Sequence, residues 1–97
     1  MTSLTTICSK RLKVLADATR LAIVRQLMRG PQTVHAINQQ IAVEQSLLSH
    51  HLKVLRDARL VTATRDGKSM IYGLAPDVSA ASTAGAINLG CCKLSFP

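Results

Sequence analysis

Aromatic side chains are almost missing from this 97-residue chain: Tyr72 and Phe96 are the only two, and there is no Trp. Modules that hold single-stranded nucleic acid on a sheet or small barrel stack bases on aromatic rings, so that class has little to work with. Acidic residues are also scarce, five in all, and scattered over different segments. No two are paired for acid–base work, no Gly-rich loop cradles a phosphate and no nucleophile motif is present, so an enzyme is not expected. No apolar run is long enough to span a bilayer. The first residues, from Met1 to Ile7, are rich in Thr and Ser and lack the charged region and apolar core of a signal peptide. A cytoplasmic protein without a membrane partner is the expectation. Cysteine is limited to Cys8, Cys91 and Cys92. In a reducing compartment these are free thiols, metal ligands or redox switches rather than a disulfide framework.

What is abundant is positive charge. Twelve Lys and Arg against five acids give a formal charge of +7, which favours a polyanionic partner. The length is that of one domain with a modest core, and a core of that size gains from dimerisation.

The most informative stretch runs from Val43 to Leu74. Leu48, Leu52 and Leu55 recur at i, i+4 and i+7, widened by Leu47 and Ala58, and mark the buried stripe of a helix. Gln45, Ser46, Ser49, His50 and Lys53 lie on another side. Hydroxyls, amides and cations on one helix face suit base edges and phosphates in a major groove. The period then changes. Residues 60–65 and 69–74 flank Asp66-Gly67, which reads as a hairpin turn because Gly accepts positive φ. Arg65 and Lys68 stand at its tip. A helix followed by a basic-tipped hairpin is the pattern of a winged helix-turn-helix, a mainly α fold with a β wing. A winged helix that binds protein rather than DNA is the alternative class.

Upstream, residues 3–15 read as a first helix carrying Cys8, with Lys10, Arg11 and Lys13 as a solvated basic run. Asp17 is placed to cap a second helix over 18–28, and Arg29-Gly30-Pro31 to end it. Thr33 is placed to cap a short third helix through Ile41, with Val34, Ile37 and Ile41 inward. Glu44 stands at the cap of the fourth helix, where its charge suits the N-terminus. Arg59 follows that helix at a position where Gly would be easier. Beyond the wing, Asp77 is placed to cap a weak last helix of small residues, from Val78 to about Ala84. The segment from Asn88 to Pro97 is apolar with turn residues.

S-L-L-S-H-H-L-K-V-L-R-D-A-R-L-V followed by R-D-G-K-S-M-I-Y-G-L resembles the recognition helix and wing of the arsenic-repressor (ArsR/SmtB) family. L-A-D-A-T-R-L-A-I-V-R-Q-L resembles that family's second helix. The resemblance implies a homodimeric repressor of double-stranded operator DNA, with no permanent cofactor, whose first and last helices form the dimer interface. It implies a single winged-helix domain over residues 1–97, with a core at 9–76, a wing at 60–74 and a dimerisation and sensor segment at 77–97. Gln45, Ser46, Ser49, His50, Lys53, Arg65 and Lys68 are then the DNA contacts. Arg56 and His51 lie toward the flank, and His51 reads as a packed residue.

The sensor departs from the family pattern. Where many relatives carry Cys-x-Cys on the third helix, this chain has Thr33-Val34-His35. The last helix offers Asp77 but no His or Glu for a zinc site. Soft ions prefer thiolates, so Cys91 and Cys92, with Cys8 as a third sulfur from either protomer, are the expected ligands of an As(III) or Sb(III) inducer. Two alternatives use the same scaffold: a thiol redox or sulfide sensor built on Cys91-Cys92, or on Cys8 paired with either, and a Zn or Cd sensor. The three cysteines can also be read as small buried apolar residues.

Overall fold

The computed structural model describes residues 3–83 and 85–97. Among the described residues the elements follow in the order α1 (Ser3–Leu15), α2 (Ala18–Leu27), β1 (Gln32–Thr33), α3 (Val34–Gln40), α4 (Gln45–Asp57), β2 (Val61–Asp66), β3 (Ser69–Leu74), α5 (Pro76–Ala81), β4 (Ala86–Asn88) and β5 (Lys93–Ser95).

Local chemistry sets most of these boundaries. Asp17 accepts hydrogen bonds from the N–H groups of Thr19 (2.9 Å) and Arg20 (3.0 Å) and so caps α2. The α2 end turns at Gly30, whose φ of +134° suits a residue without Cβ. Thr33 caps α3 by accepting from the N–H of Ala36 at 3.1 Å. Glu44 occupies the α4 cap without a side-chain bond to the backbone, and its carboxylate accepts instead from the Ser46 hydroxyl at 2.7 Å. Arg59 takes φ +61° after α4, the left-handed conformation that its position required.

β2 and β3 form the wing, paired antiparallel from Val61 opposite Leu74 to Asp66 opposite Ser69. Gly67 and Lys68 are therefore the two turn residues, one position later than the Asp66-Gly67 reading. Gly67 has φ +62°, and a Gly with positive φ at the first turn position is what a two-residue type II′ hairpin asks. β1 adds a third strand on the other side of β3, giving the order β1-β3-β2.

The core gathers Ile23, Val24 and Leu27 of α2, Ile37 of α3, Leu48, Leu52 and Leu55 of α4, Leu60 and Val61 at the wing base, and Val78, Ile87 and Leu89 from the C-terminal part. Ile87 and Leu89 are essentially inaccessible to solvent, so the segment after the wing completes the interior.

That segment departs from the sequence-based expectation. The last helix spans Pro76–Ala81, not 78–84, and Ala84 lies outside the described residues. Asp77 is not its cap. Ala75 holds that place and Pro76, with its fixed φ and no N–H, begins the helix. The helix stops because Ser82 is extended, its hydroxyl donating to the Val78 carbonyl (2.6 Å) and accepting from the Asn88 N–H (3.0 Å). β4 and β5 then form a hairpin with Ile87 opposite Leu94. The hairpin returns to α2, where the Phe96 ring lies 4.5 Å from the Arg25 guanidinium. Among the described residues no helix is long and apolar enough to cross a membrane.

Candidate functional site

The residues singled out from the sequence fall on two surfaces. The first is the solvent face of α4. Leu48, His51, Leu52 and Leu55 are buried, and this fixes the helix rotation. Gln45, Ser46, Ser49, His50 and Lys53 are consequently all exposed on the opposite side. Arg65 and Lys68 are exposed at the wing tip, as are Arg56 and Arg59 where α4 ends. No acidic side chain lies in the first turn of α4. Ser46 has its hydroxyl hydrogen directed to Glu44, which leaves its lone pairs to accept.

A buried polar link holds α4 in register. His51 is 7% exposed, and its Nδ1 lies 3.2 Å from Arg20 Nη1. A guanidinium only donates, so Nδ1 accepts and the ring proton sits on Nε2. The same Arg20 donates from Nε to the Val14 carbonyl at 2.7 Å, so one side chain joins the end of α1, the start of α2 and α4. The Asp17 carboxyl is held below the usual carboxylate range, first by the Arg20 backbone N–H, which donates to its charged form, and then by the Arg20 charge.

The second surface is a cluster of sulfur. Cys8 on α1 and Cys91 and Cys92 in the β4–β5 turn bring their sulfurs within 4.8 Å of one another, in one protomer. Cys8 and Cys91 are joined as a disulfide with a Cα–Cα distance of 6.1 Å, an ordinary span for such a bridge. Cys92 is free, with its sulfur 3.6 Å from that of Cys8. The bridge is therefore not the vicinal Cys91-Cys92 ring considered from sequence. The sulfurs differ in access: Cys8 is 8% exposed, Cys92 is half-buried and Cys91 is exposed. Gly90, with φ +94°, shapes the turn that presents the pair. The cluster opens on a groove of about 710 Å³ lined by Thr5, Ser9, Leu12, Lys13 and Ala16 of α1 and its end. His35 is exposed on α3 and Asp77 is exposed at the start of α5, and neither belongs to the sulfur cluster.

Sequence reasoning missed Arg11. It was read within a solvated basic run, and Lys10 and Lys13 are indeed exposed. The Arg11 side chain is only 13% exposed and lies 3.9 Å from the Asp77 carboxylate. It donates to the Leu89 carbonyl at 3.0 Å, next to the cysteine turn. The same residue borders the end of α4 alongside Arg56 and Arg59. Its partners lie more than sixty positions away in sequence, so no local pattern distinguishes it from its neighbouring cations.

Comparison with known proteins gives this arrangement a context. The family model described as "Bacterial regulatory protein, arsR family" matches residues 17–63. Over 63 residues the chain is 44% identical to the HTH-type transcriptional regulator NmtR of Mycobacterium tuberculosis, covering 65% of this chain and 52% of that one. It is 41% identical over 66 residues to the arsenical resistance operon repressor of Bacillus subtilis, covering 67% and 63%. The chain thus spans about half to two thirds of the length of these curated relatives. Among solved structures, Rv0081 of M. tuberculosis superposes with a TM-score of 0.72 at 33% identity, covering 82% of this chain and 81% of that one. The homodimeric winged helix-turn-helix DNA-binding domain of Mb0332 from Mycobacterium bovis superposes with a TM-score of 0.72 at 29% identity, covering 80% and 72%.

Proposed function

The chain belongs to the ArsR family of bacterial regulatory proteins, and from that premise we propose that it is a homodimeric transcriptional repressor that releases its operator when As(III) or Sb(III) is captured by thiolates. Gln45, Ser46, Ser49, His50 and Lys53 enter the major groove, and Arg65 and Lys68 on the wing reach the neighbouring backbone or minor groove. A two-fold dimer sets the two α4 helices about one DNA turn apart. The exposed Ile7 on α1 gives it apolar surface to bury against a second copy.

The observation that carries the inducer assignment is the convergence of Cys8, Cys91 and Cys92. Reduction of the Cys8–Cys91 bridge frees two sulfurs beside the already free Cys92, and the three together offer the pyramidal donor set that trivalent arsenic and antimony take up. An all-sulfur set favours a soft ion. Zn(II) or Cd(II) ranks lower, because a closed tetrahedral zinc site calls for a fourth ligand. Arg11 supplies the coupling. A shift of the cysteine turn moves the Leu89 carbonyl, and with it the guanidinium that packs against α5 and the end of α4. Residues 77–97 thereby act as the sensor segment. The inducer works by binding the released conformation better than the DNA-bound one.

A second reading has its own observation. The Cys8–Cys91 bridge with a free Cys92 beside it suits a thiol redox or sulfide sensor in which oxidation replaces metalloid capture. An operator-binding titration of the fully reduced protein with arsenite, zinc and hydrogen peroxide in parallel separates these. Release at near-stoichiometric arsenite, with weakened arsenite binding in Cys8→Ser, is the expected result. Release by peroxide alone, reversed by a reductant, would replace the metalloid sensor with the redox one.

A further inference from the structure

The three sulfurs are close together but unequally reachable, and this fixes the order in which they react. Cys8 is 8% exposed and sits behind the turn that carries the other two. It borders the groove together with the other two, but little of it is open to a dissolved thiol or disulfide. Cys91 is the exposed member of the bonded pair, and Cys92 is half-buried with its sulfur turned 3.6 Å from Cys8. Exchange proceeds by in-line attack of a thiolate on a disulfide sulfur, and of the three sulfurs that border the groove Cys91 is the one an outside reagent meets first.

We propose that Cys91 is the obligatory entry sulfur for exchange with small carboxylate-bearing disulfides of the glutathione type, which seat in the groove beside it. The reaction balances in two steps. The Cys91 thiolate attacks one sulfur of the small disulfide; a Cys91–S–S–R bond forms, the reagent's S–S bond breaks, and RS⁻ leaves and takes a proton from water. Cys8, deprotonated in its turn, attacks the Cys91 sulfur; the Cys8–Cys91 bond forms and the second RS⁻ leaves. The protein loses two electrons, and one disulfide becomes two thiols. Reduction by the corresponding small thiol runs the same path backwards, again through Cys91. Cys92 lies close enough to Cys8 to take over its bond, which makes it the internal competitor of the entry sulfur.

The groove gives this reaction its selectivity. Thr5, Ser9, Leu12, Lys13 and Ala16 line it beside the sulfurs, and no acidic side chain is among them. Lys13 is its one cationic group, with Lys10 in the adjoining furrow on α1. A reagent with an aliphatic body and a carboxylate matches a short apolar wall ending in an ammonium. The proposal deepens the reading of the cluster as reactive sulfur, and its readout involves no DNA, so its failure leaves operator release by arsenite to be judged separately.

The test uses the full-length reduced protein, with oxidised glutathione, neutral hydroxyethyl disulfide and cationic cystamine as probes. Acid quenching followed by peptide mass mapping identifies the first sulfur modified. The expected first adduct is on Cys91. It accumulates in Cys8→Ala, where the resolving sulfur is gone, and forms about three- to fivefold faster with the anionic probe than with the neutral one, as one exposed charge pair allows. Lys13→Gln should remove that preference, bringing the rate with the anionic probe down to that with the neutral one. A first adduct on Cys92 or Cys8 in the wild type would overturn the entry assignment, and this can be read even if Cys8→Ala does not fold. Equal rates for the three probes would overturn the carboxylate selectivity.

Discussion

Shortening Ile87 to Ala should destabilise the protein by about 3 kcal/mol, although it lies outside the helix-turn-helix and the wing. Ile87 has no exposed surface and belongs to the same cluster as Leu48, Leu52 and Leu55 of the recognition helix. Ile87→Ala removes three carbons from that cluster. At about 0.8 kcal/mol for each buried methylene the transfer loss is roughly 2.4 kcal/mol. Incomplete collapse of the resulting cavity brings the total to about 3 kcal/mol, within the usual 2–5 kcal/mol for such truncations. That is a large share of the roughly 5–15 kcal/mol that keeps a small domain folded. Urea unfolding monitored by circular dichroism provides the assay, in excess reductant so that no bridge contributes. Protein concentration must be held fixed, because a dimer's midpoint depends on it. At about 4–8 °C per kcal/mol the melting temperature should fall by roughly 12–24 °C. A loss below about 1 kcal/mol would mean that the β4–β5 hairpin is an appendage. Coupling of the cysteine turn to the DNA face through shared packing would then be refuted.

Replacing Arg59 by Gly should raise stability by a few tenths to about 1 kcal/mol, because φ +61° strains any side chain that carries a Cβ; an unchanged or lower urea midpoint would contradict this. Lys53→Ala should weaken binding to specific and random DNA alike and lower the slope of log K against log salt by about 1; an unaltered slope removes Lys53 from the phosphate contacts. For Asp17, the folded carboxyl titrates below its unfolded value, so its stabilising effect is present above the unfolded range and fades as pH falls through the folded value. The stability difference between wild type and Asp17→Asn should accordingly shrink as the solution is taken below about pH 4, and a difference that is constant from neutral to acid pH would show that charge has no part in the cap.

The parts of the fold that could be read from the sequence are those specified by neighbours in the chain. Asp17 and Thr33 act within three residues of themselves as caps. The Leu48, Leu52, Leu55 stripe fixes which side of α4 faces inward, and this exposes the five reader candidates together. Gly67 marks the wing. What escaped the sequence depends on distant partners. β1 is two residues long and exists through its pairing with Tyr72 and Ile71. The stretch from Val78 to Ala81 suits a longer helix by composition, yet Ser82 ends it by bonding both the helix behind and the strand ahead. The vicinal cysteines were visible as a candidate site, and Cys8 was named as their third member. Its placement in the same protomer required the hairpin, which strands of only three residues do not announce.

The bridge between Cys8 and Cys91 joins positions 83 residues apart in a chain of 97. In topological terms residues 8 to 91 form a ring in the oxidised molecule, and α2, α3, α4 and the wing all lie on its circumference. Closing a loop of that length removes configurational freedom from the unfolded chain worth about 4.5 kcal/mol. Oxidation therefore makes unfolding globally harder as well as altering one surface, and a protease cut anywhere on the circumference leaves the two fragments tethered. The redox state of two sulfurs becomes a determinant of how long the molecule survives, a second output that requires no operator.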